Sequence, residues 1–121
     1  MTKKVMLVDD VPISNFIMKK MIQKVAPDYQ ILDFTLPEQA IKSVEENSPD
    51  LIFLDLNMPV IDGWKFLYLM NENNLENKVY ILTSSTSELD LLQSKQYKNV
   101  VGFLVKPVNI TNLPDLLKVV E

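Results

Sequence analysis

Three acids, a hydroxyl and a lysine stand where apolar runs of this sequence end. "KVMLV" (4–8) runs into Asp9-Asp10, and "LIFLD" (51–55) closes on Asp55. "KVYILTSS" (78–85) carries Thr83 and Ser84 near its end, and "VGFLVKP" (101–107) ends in Lys106-Pro107. A carboxylate at the end of a buried run is costly to desolvate unless something pairs with it. Three carboxylates brought together repel one another, and their pKa values rise unless a cation intervenes. Lys106 offers one fixed positive charge. A hard divalent cation would supply the rest, and Mg²⁺ takes one or two carboxylates, waters and a phosphate oxygen. The set suits Mg²⁺ plus a phosphoryl group, with Asp55 as the nucleophile that forms an acyl phosphate. Mg²⁺, Lys106 and the Thr83 hydroxyl would neutralise and position the phosphoryl oxygens.

The elements between these residues alternate. After the first strand, Pro12 suits a first helical turn. "ISNFIMKKMIQKV" follows with Ile13, Ile17, Met21 and Val25 near helical spacing, and Pro27 ends it. "YQILDF" (29–34) is a second strand, ending plainly at Phe34-Thr35. "PEQAIKSVEEN" (37–47) is a helix with Ala40, Ile41 and Val44 on one face. After "LIFLD" comes a turn at "VIDG". "WKFLYLMNEN" is then helical, with Phe66, Leu67 and Met70 inward and Trp64, Tyr68 and Leu69 forming a modest exposed patch. "SELDLLQSKQY" (87–97) is a helix with an N-cap serine. "NITNLPDLLKVVE" is the last helix, with Pro114 near its start.

The strands are uninterrupted apolar runs rather than alternating ones. That pattern means burial on both faces, hence a parallel sheet with helices on each side. Ligands of such a sheet bind at the carboxyl ends of its strands, where the acids, hydroxyl and lysine fall.

The 121 residues suit one domain, 1–121, and 47% hydrophobic residues suffice for a core. No apolar run approaches 18 residues, which excludes a membrane-spanning helix. The N-terminal apolar stretch is too short for a signal peptide, which points to a cytoplasmic protein. The chain has no cysteine and no histidine. Disulfides, thiolate metal sites, Ser-His and Cys-His catalysis and a phosphohistidine of its own are thereby excluded, and any metal must take oxygen ligands. The net charge is −4, and the lysines are scattered with no basic stripe, so direct nucleic-acid binding is not expected.

Taken together, "VDD" (8–10), "LDLNMPVIDG" (54–63), "LTSS" (82–85) and "FLVKP" (103–107) resemble the receiver domain of two-component response regulators, in order and at family spacing over essentially the whole chain. The likeness is to single-domain, chemotaxis-type regulators. It implies an α/β, flavodoxin-like (βα)5 sandwich with a five-stranded parallel sheet in order 2-1-3-4-5. It implies Asp55 as phosphoacceptor, Asp10 as direct Mg²⁺ ligand and Asp9 as a ligand mainly through water. Asn57 would give a backbone carbonyl to the metal, and Mn²⁺ is an alternative ion. Thr83 and Phe103 would form the switch, Lys106 would pair with phosphoryl oxygens, and the Lys106–Pro107 bond would be cis. Asn57 and Ser85 would tune the lifetime of the phosphate.

The implied phosphodonor is a histidine kinase or a histidine phosphotransfer protein. Ser14, Asn15 and Met18 match the edge where a donor helix docks, or are an ordinary solvated edge. The implied output is a target protein bound at the fourth helix, fifth strand and fifth helix, with no membrane partner. The chain ends as that helix ends, so no effector domain is expected within it. Where the family often has an alanine-glycine pair, this chain has "QYKNVVG", and Asn99 is expected to supply a left-handed turn there.

Plainer readings exist for each residue. Asp55 could cap a turn, Asp9 and Asp10 could favour a helix N-terminus, Ser84 and Ser85 could be loop hydroxyls, and Phe103 could be core. Three rivals follow. A haloacid dehalogenase-type phosphatase needs a second Asp where Asn57 stands. A phosphorylation-independent scaffold leaves the intact acid set without a purpose. A nucleotide-binding domain lacks a glycine-rich loop, because only Gly63 and Gly102 are present.

Overall fold

The computed structural model describes residues 2–84 and 87–121. Five strands alternate with five helices: β1 (Lys4–Val8), α1 (Pro12–Val25), β2 (Gln30–Phe34), α2 (Pro37–Asn47), β3 (Leu51–Asp55), α3 (Gly63–Glu72), β4 (Lys78–Thr83), α4 (Glu88–Ser94), β5 (Val100–Val105) and α5 (Leu113–Leu117). Every strand pair is parallel, in the order β2-β1-β3-β4-β5. The apolar runs imply the parallel sheet, and the flavodoxin-like order is the one the receiver resemblance implies. The central strands are buried nearly throughout, and β3 is buried at all five positions. The edge strands β2 and β5 are only partly covered.

The sheet separates two cores. Met6, Val8, Ile52 and Leu54 meet Ala40, Val44, Phe66, Leu67 and Met70 of α2 and α3 on one face. Val5, Leu7, Leu51 and Phe53 meet Met18, Ile22, Leu113 and Leu117 of α1 and α5 on the other. Consecutive strand residues thus feed opposite cores, as the two-residue strand period requires.

Five expectations are corrected. The buried stripe of α1 is Asn15, Met18 and Ile22, whereas Ile13 and Ile17 are 59% and 52% exposed. Both stripes have helical spacing. The Asn15 amide decides between them, because its Nδ2 donates to the carbonyls of Asp9 (3.1 Å) and Phe34 (2.9 Å). Asn15 and Met18 therefore do not lie on a solvated edge.

Asn99 has no left-handed backbone; among the described non-glycine residues positive φ falls at Ser48, Val60 and Asn74. Asn99 instead joins the β4 and β5 entrances. Its Nδ2 donates to Asn77 O at 3.0 Å, and its carbonyl accepts from Val79 N–H at 2.9 Å.

The last helix is broken into a 3-10 turn at Ile110–Asn112, α5, and a second 3-10 turn at Lys118–Val120. Pro114 sits in the first turn of α5, where its missing N–H has no cost. Asn109 caps the preceding turn by accepting from Thr111 N–H at 2.9 Å.

The patch expected from Trp64, Tyr68 and Leu69 reduces to Tyr68. Trp64 is half-buried and stacks on Tyr97 with centroids 6.4 Å apart. Ser87 does cap α4, which is shorter than the sequence suggests and stops at Ser94.

Gly63 ties α3 to the end of β3. Its N–H donates to Leu56 O at 2.9 Å, and a Cβ there would lie 2.8 Å from Leu56 Cα and 2.9 Å from Asp55 O. Both obstacles are backbone and cannot rotate away. Gly63→Ala is expected to cost about 2 kcal/mol through this overpacking, measured as a lower urea midpoint with an unchanged m-value.

Candidate functional site

The order of strands reverses between β1 and β3, and their carboxyl ends open a crevice there. β1 delivers Asp9 and Asp10 to it, and β3 delivers Asp55. Asp9 and Asp55 are buried, at 3% and 5% exposure, and Asp10 is half-buried. One carboxylate oxygen from each lies within 4.8 Å of the others.

Lys106 enters from the end of β5. Its Nζ is 2.7 Å from Asp9 Oδ2 and 3.2 Å from Asp55 Oδ1. Its own N–H donates to Thr83 O at 2.7 Å, which locks the end of β5 to the end of β4. The Lys106–Pro107 peptide bond is cis. Asp9 is further fixed by Val11 N–H, which donates to Oδ1 at 2.9 Å. The backbone beneath is equally constrained. Asp9 N–H donates to Phe34 O at 3.1 Å, and Leu56 N–H to Leu82 O at 2.8 Å.

Burial pushes the Asp55 carboxyl above its usual 3.8, and the neighbouring Asp9 adds to the rise. Lys106 and the Asn57 N–H pull it partly back. For Lys106, burial disfavours the charge, but the bonds and fields of Asp9 and Asp55 outweigh it. Its pKa lies above the usual 10.5. The three carboxyl groups outnumber the one lysine beside them. Three converging carboxylates are hard oxygen donors, the set that suits Mg²⁺ or Mn²⁺, and they fit a divalent cation.

Thr83 is fully buried at the end of β4, and Ser84 beside it is exposed. Asn57 is exposed on the loop after β3. Phe103 is half-buried mid-strand in β5, opposite Ile81, and packs on the core of α2 and α3. Ser85 lies outside the described residues. The structure thus gathers Asp9, Asp10, Asp55 and Lys106 directly, places Thr83 beside them, and sets Phe103 further along β5.

Sequence reasoning missed two supports, Asn15 and Gly63. An asparagine amid the apolar positions of α1 was the available signal for the first. The "DG" pair was the signal for the second, although it reads as a turn. Asp62 is in fact the N-cap of α3, accepting from Lys65 N–H at 2.9 Å.

Comparison with known proteins agrees with this fold. The family pattern of the response regulator receiver domain matches residues 5–118. The nitrate/nitrite response regulator protein NarL of Escherichia coli is 32% identical over 110 residues, covering 90% of this chain and 50% of that protein. The chain therefore spans about half the length of that relative. The sporulation initiation phosphotransferase F of Bacillus subtilis is 28% identical over 98% of this chain and 93% of its own. Among solved structures, the chemotaxis protein CheY4 of Vibrio cholerae superposes with a TM-score of 0.86 at 25% identity, over 100% of both chains. The receiver domain of a putative LuxO repressor from Vibrio parahaemolyticus gives 0.89 at 27% identity, over 98% of this chain and 89% of its own.

Proposed function

Because the chain belongs to the response regulator receiver family, we propose that it accepts a phosphoryl group on Asp55 from a phosphohistidine and signals through protein contacts. The observation that carries this reading is the Asp55 carboxylate, buried among acids yet 3.2 Å from the Lys106 ammonium. Lys106 and the Asn57 N–H partly offset the burial that raises the Asp55 carboxyl, and its ionised form offers an oxygen lone pair. That oxygen attacks phosphorus, the donor's N–P bond breaks, and the departing imidazole nitrogen takes up a proton. Lys106 then faces the new phosphoryl oxygens, and the Thr83 hydroxyl donates to one of them. Asp9, Asp10, Asp55 and the Asn57 carbonyl would hold Mg²⁺, which supplies charge neutralisation for the transferring group.

The donor docks beside α1, where Ile13, Phe16 and Ile17 are 59%, 55% and 52% exposed. This apolar face replaces the edge of Ser14, Asn15 and Met18 expected from sequence. The added phosphoryl charge draws Thr83 toward the acceptor and lets Phe103 turn inward. The face of α4, β5 and α5 then changes shape. Leu89 and Leu92 of α4 and Val105 of β5 are exposed there, at 77%, 58% and 45%, ready for a protein target. Residues 1–121 act as one receiver domain, and the setting is the cytoplasm.

Incubation with a small acyl phosphate donor and Mg²⁺ tests the reading by intact mass. The expected result is a gain of one phosphoryl group that a chelator prevents. A wild-type protein that gains nothing under acidic quench would favour the phosphorylation-independent scaffold.

A further inference from the structure

An apolar cavity of about 310 Å³ lies between α1 and the chain that leaves β5. Its floor is the sheet face of Leu7, Phe53 and Leu82, and its walls are Met18, Met21 and Val108. Val108 is half-buried and covers the side left open before α5 begins at Leu113. A short branched side chain there leaves the space unfilled.

The wall chemistry selects the guest. Two thioethers and one phenyl ring favour an aromatic occupant, because sulfur and ring edges pack well on aromatic faces. Of the polar side chains in the lining, Asp9, Asn15 and Lys106 are already engaged, and Ser14 is half-buried. Asp9 accepts from Lys106 and Val11, and the Asn15 amide donates to two carbonyls. Among the described residues no buried side-chain polar atom lacks a partner. A charged guest would lose its hydration with nothing to replace it. An anion would in addition find Lys106, the cation in the lining, already paired with Asp9 at 2.7 Å. Size points the same way, since an apolar cavity of about 150 Å³ takes one benzene ring.

We propose that the cavity between α1 and Val108 is a binding site for a neutral bicyclic aromatic molecule of indole size. The site borders the acceptor crevice, because Asp9 and Lys106 line its inner end.

The test is a ¹H–¹⁵N NMR titration of the whole chain with indole, beside indole-3-acetate as an anionic control. Saturable shifts at Met18, Leu82 and Val108, with a dissociation constant on the order of 0.1–1 mM, are expected from the small size of the probe. The anion should bind at least about tenfold more weakly. Val108→Phe should fill the cavity and reduce indole affinity at least about tenfold. Its thermal midpoint reports that it folds, and Met21→Trp on the opposite wall serves the same purpose if it does not. Indole shifts that never saturate, that cluster elsewhere, or that persist in the folded variant would overturn the proposal.

Discussion

Replacing Asp55 with asparagine is expected to raise the thermal midpoint of the metal-free protein while abolishing phosphoryl uptake. The two effects share one cause. Asp55 is an ionised group held where burial and Asp9 disfavour its charge, and its carboxyl sits above 3.8 in consequence. A raised carboxyl means that the folded state holds the proton more tightly than the unfolded chain does. Stability is then highest below the ordinary carboxylate range and falls as pH rises through the folded pKa. At neutral pH the charge is a net cost, retained for its chemistry. Asparagine keeps the shape and removes the charge, and the remaining Asp9–Lys106 pair, 2.7 Å apart, stays intact. The gain should appear as a rise in thermal midpoint of a few degrees, the size of an ordinary single-site change. Thermal melts of both proteins in chelator, from pH 3 to 8, check it. The gap should open as pH rises and close below about pH 4. A variant less stable than wild type at pH 7 would contradict the electrostatic picture of the site.

Lys106→Met should have the opposite and larger effect. It leaves two carboxylates, their side chains 5% and 7% exposed, without the cation they share. Removing one partner of a buried pair typically costs about 3–5 kcal/mol. Lys106 is itself 26% exposed, and water entering its place would hold the loss near about 3 kcal/mol. The thermal midpoint should fall by about 10 °C in chelator. Mg²⁺ should restore part of it by binding the acids of the folded state. The alkaline limb provides a second check. Lys106 titrates above its usual 10.5, so the stability it contributes is complete below that value and is lost as pH rises through the folded pKa. Wild type should lose that increment at alkaline pH, and the methionine variant should have none to lose.

The acid set was legible because each member closes an apolar run, and a parallel sheet brings the carboxyl ends of its strands to one rim. Lys106 was legible for the same reason. The rotation of α1 was legible only in part, since Met21 and Val25 pack on the core but Ile13 and Ile17 face outward. Ile13, Ile17, Met21 and Val25 repeat as regularly as Asn15, Met18 and Ile22, and hydrophobicity favours the first set. The choice rests on one amide that satisfies two strand-end carbonyls, a tertiary contact with no periodicity. Asn99 misled in a similar way. Its type suits a left-handed turn, but hydrogen bonds to Asn77 and Val79 hold it in ordinary backbone. In the last helix the proline was visible, whereas the 3-10 turns on either side depend on the Asn109 cap and on packing against the sheet.

The central claim is that Asp55, and not its neighbours, carries the phosphoryl group. Borohydride reduction of the phosphorylated protein converts an aspartyl phosphate to homoserine, and peptide mass spectrometry then locates it. Homoserine at position 55, absent when Asp55 is asparagine, is the predicted result. Homoserine at position 9 or 10, or a phosphate on Thr83 or Ser84 that resists reduction, would contradict it.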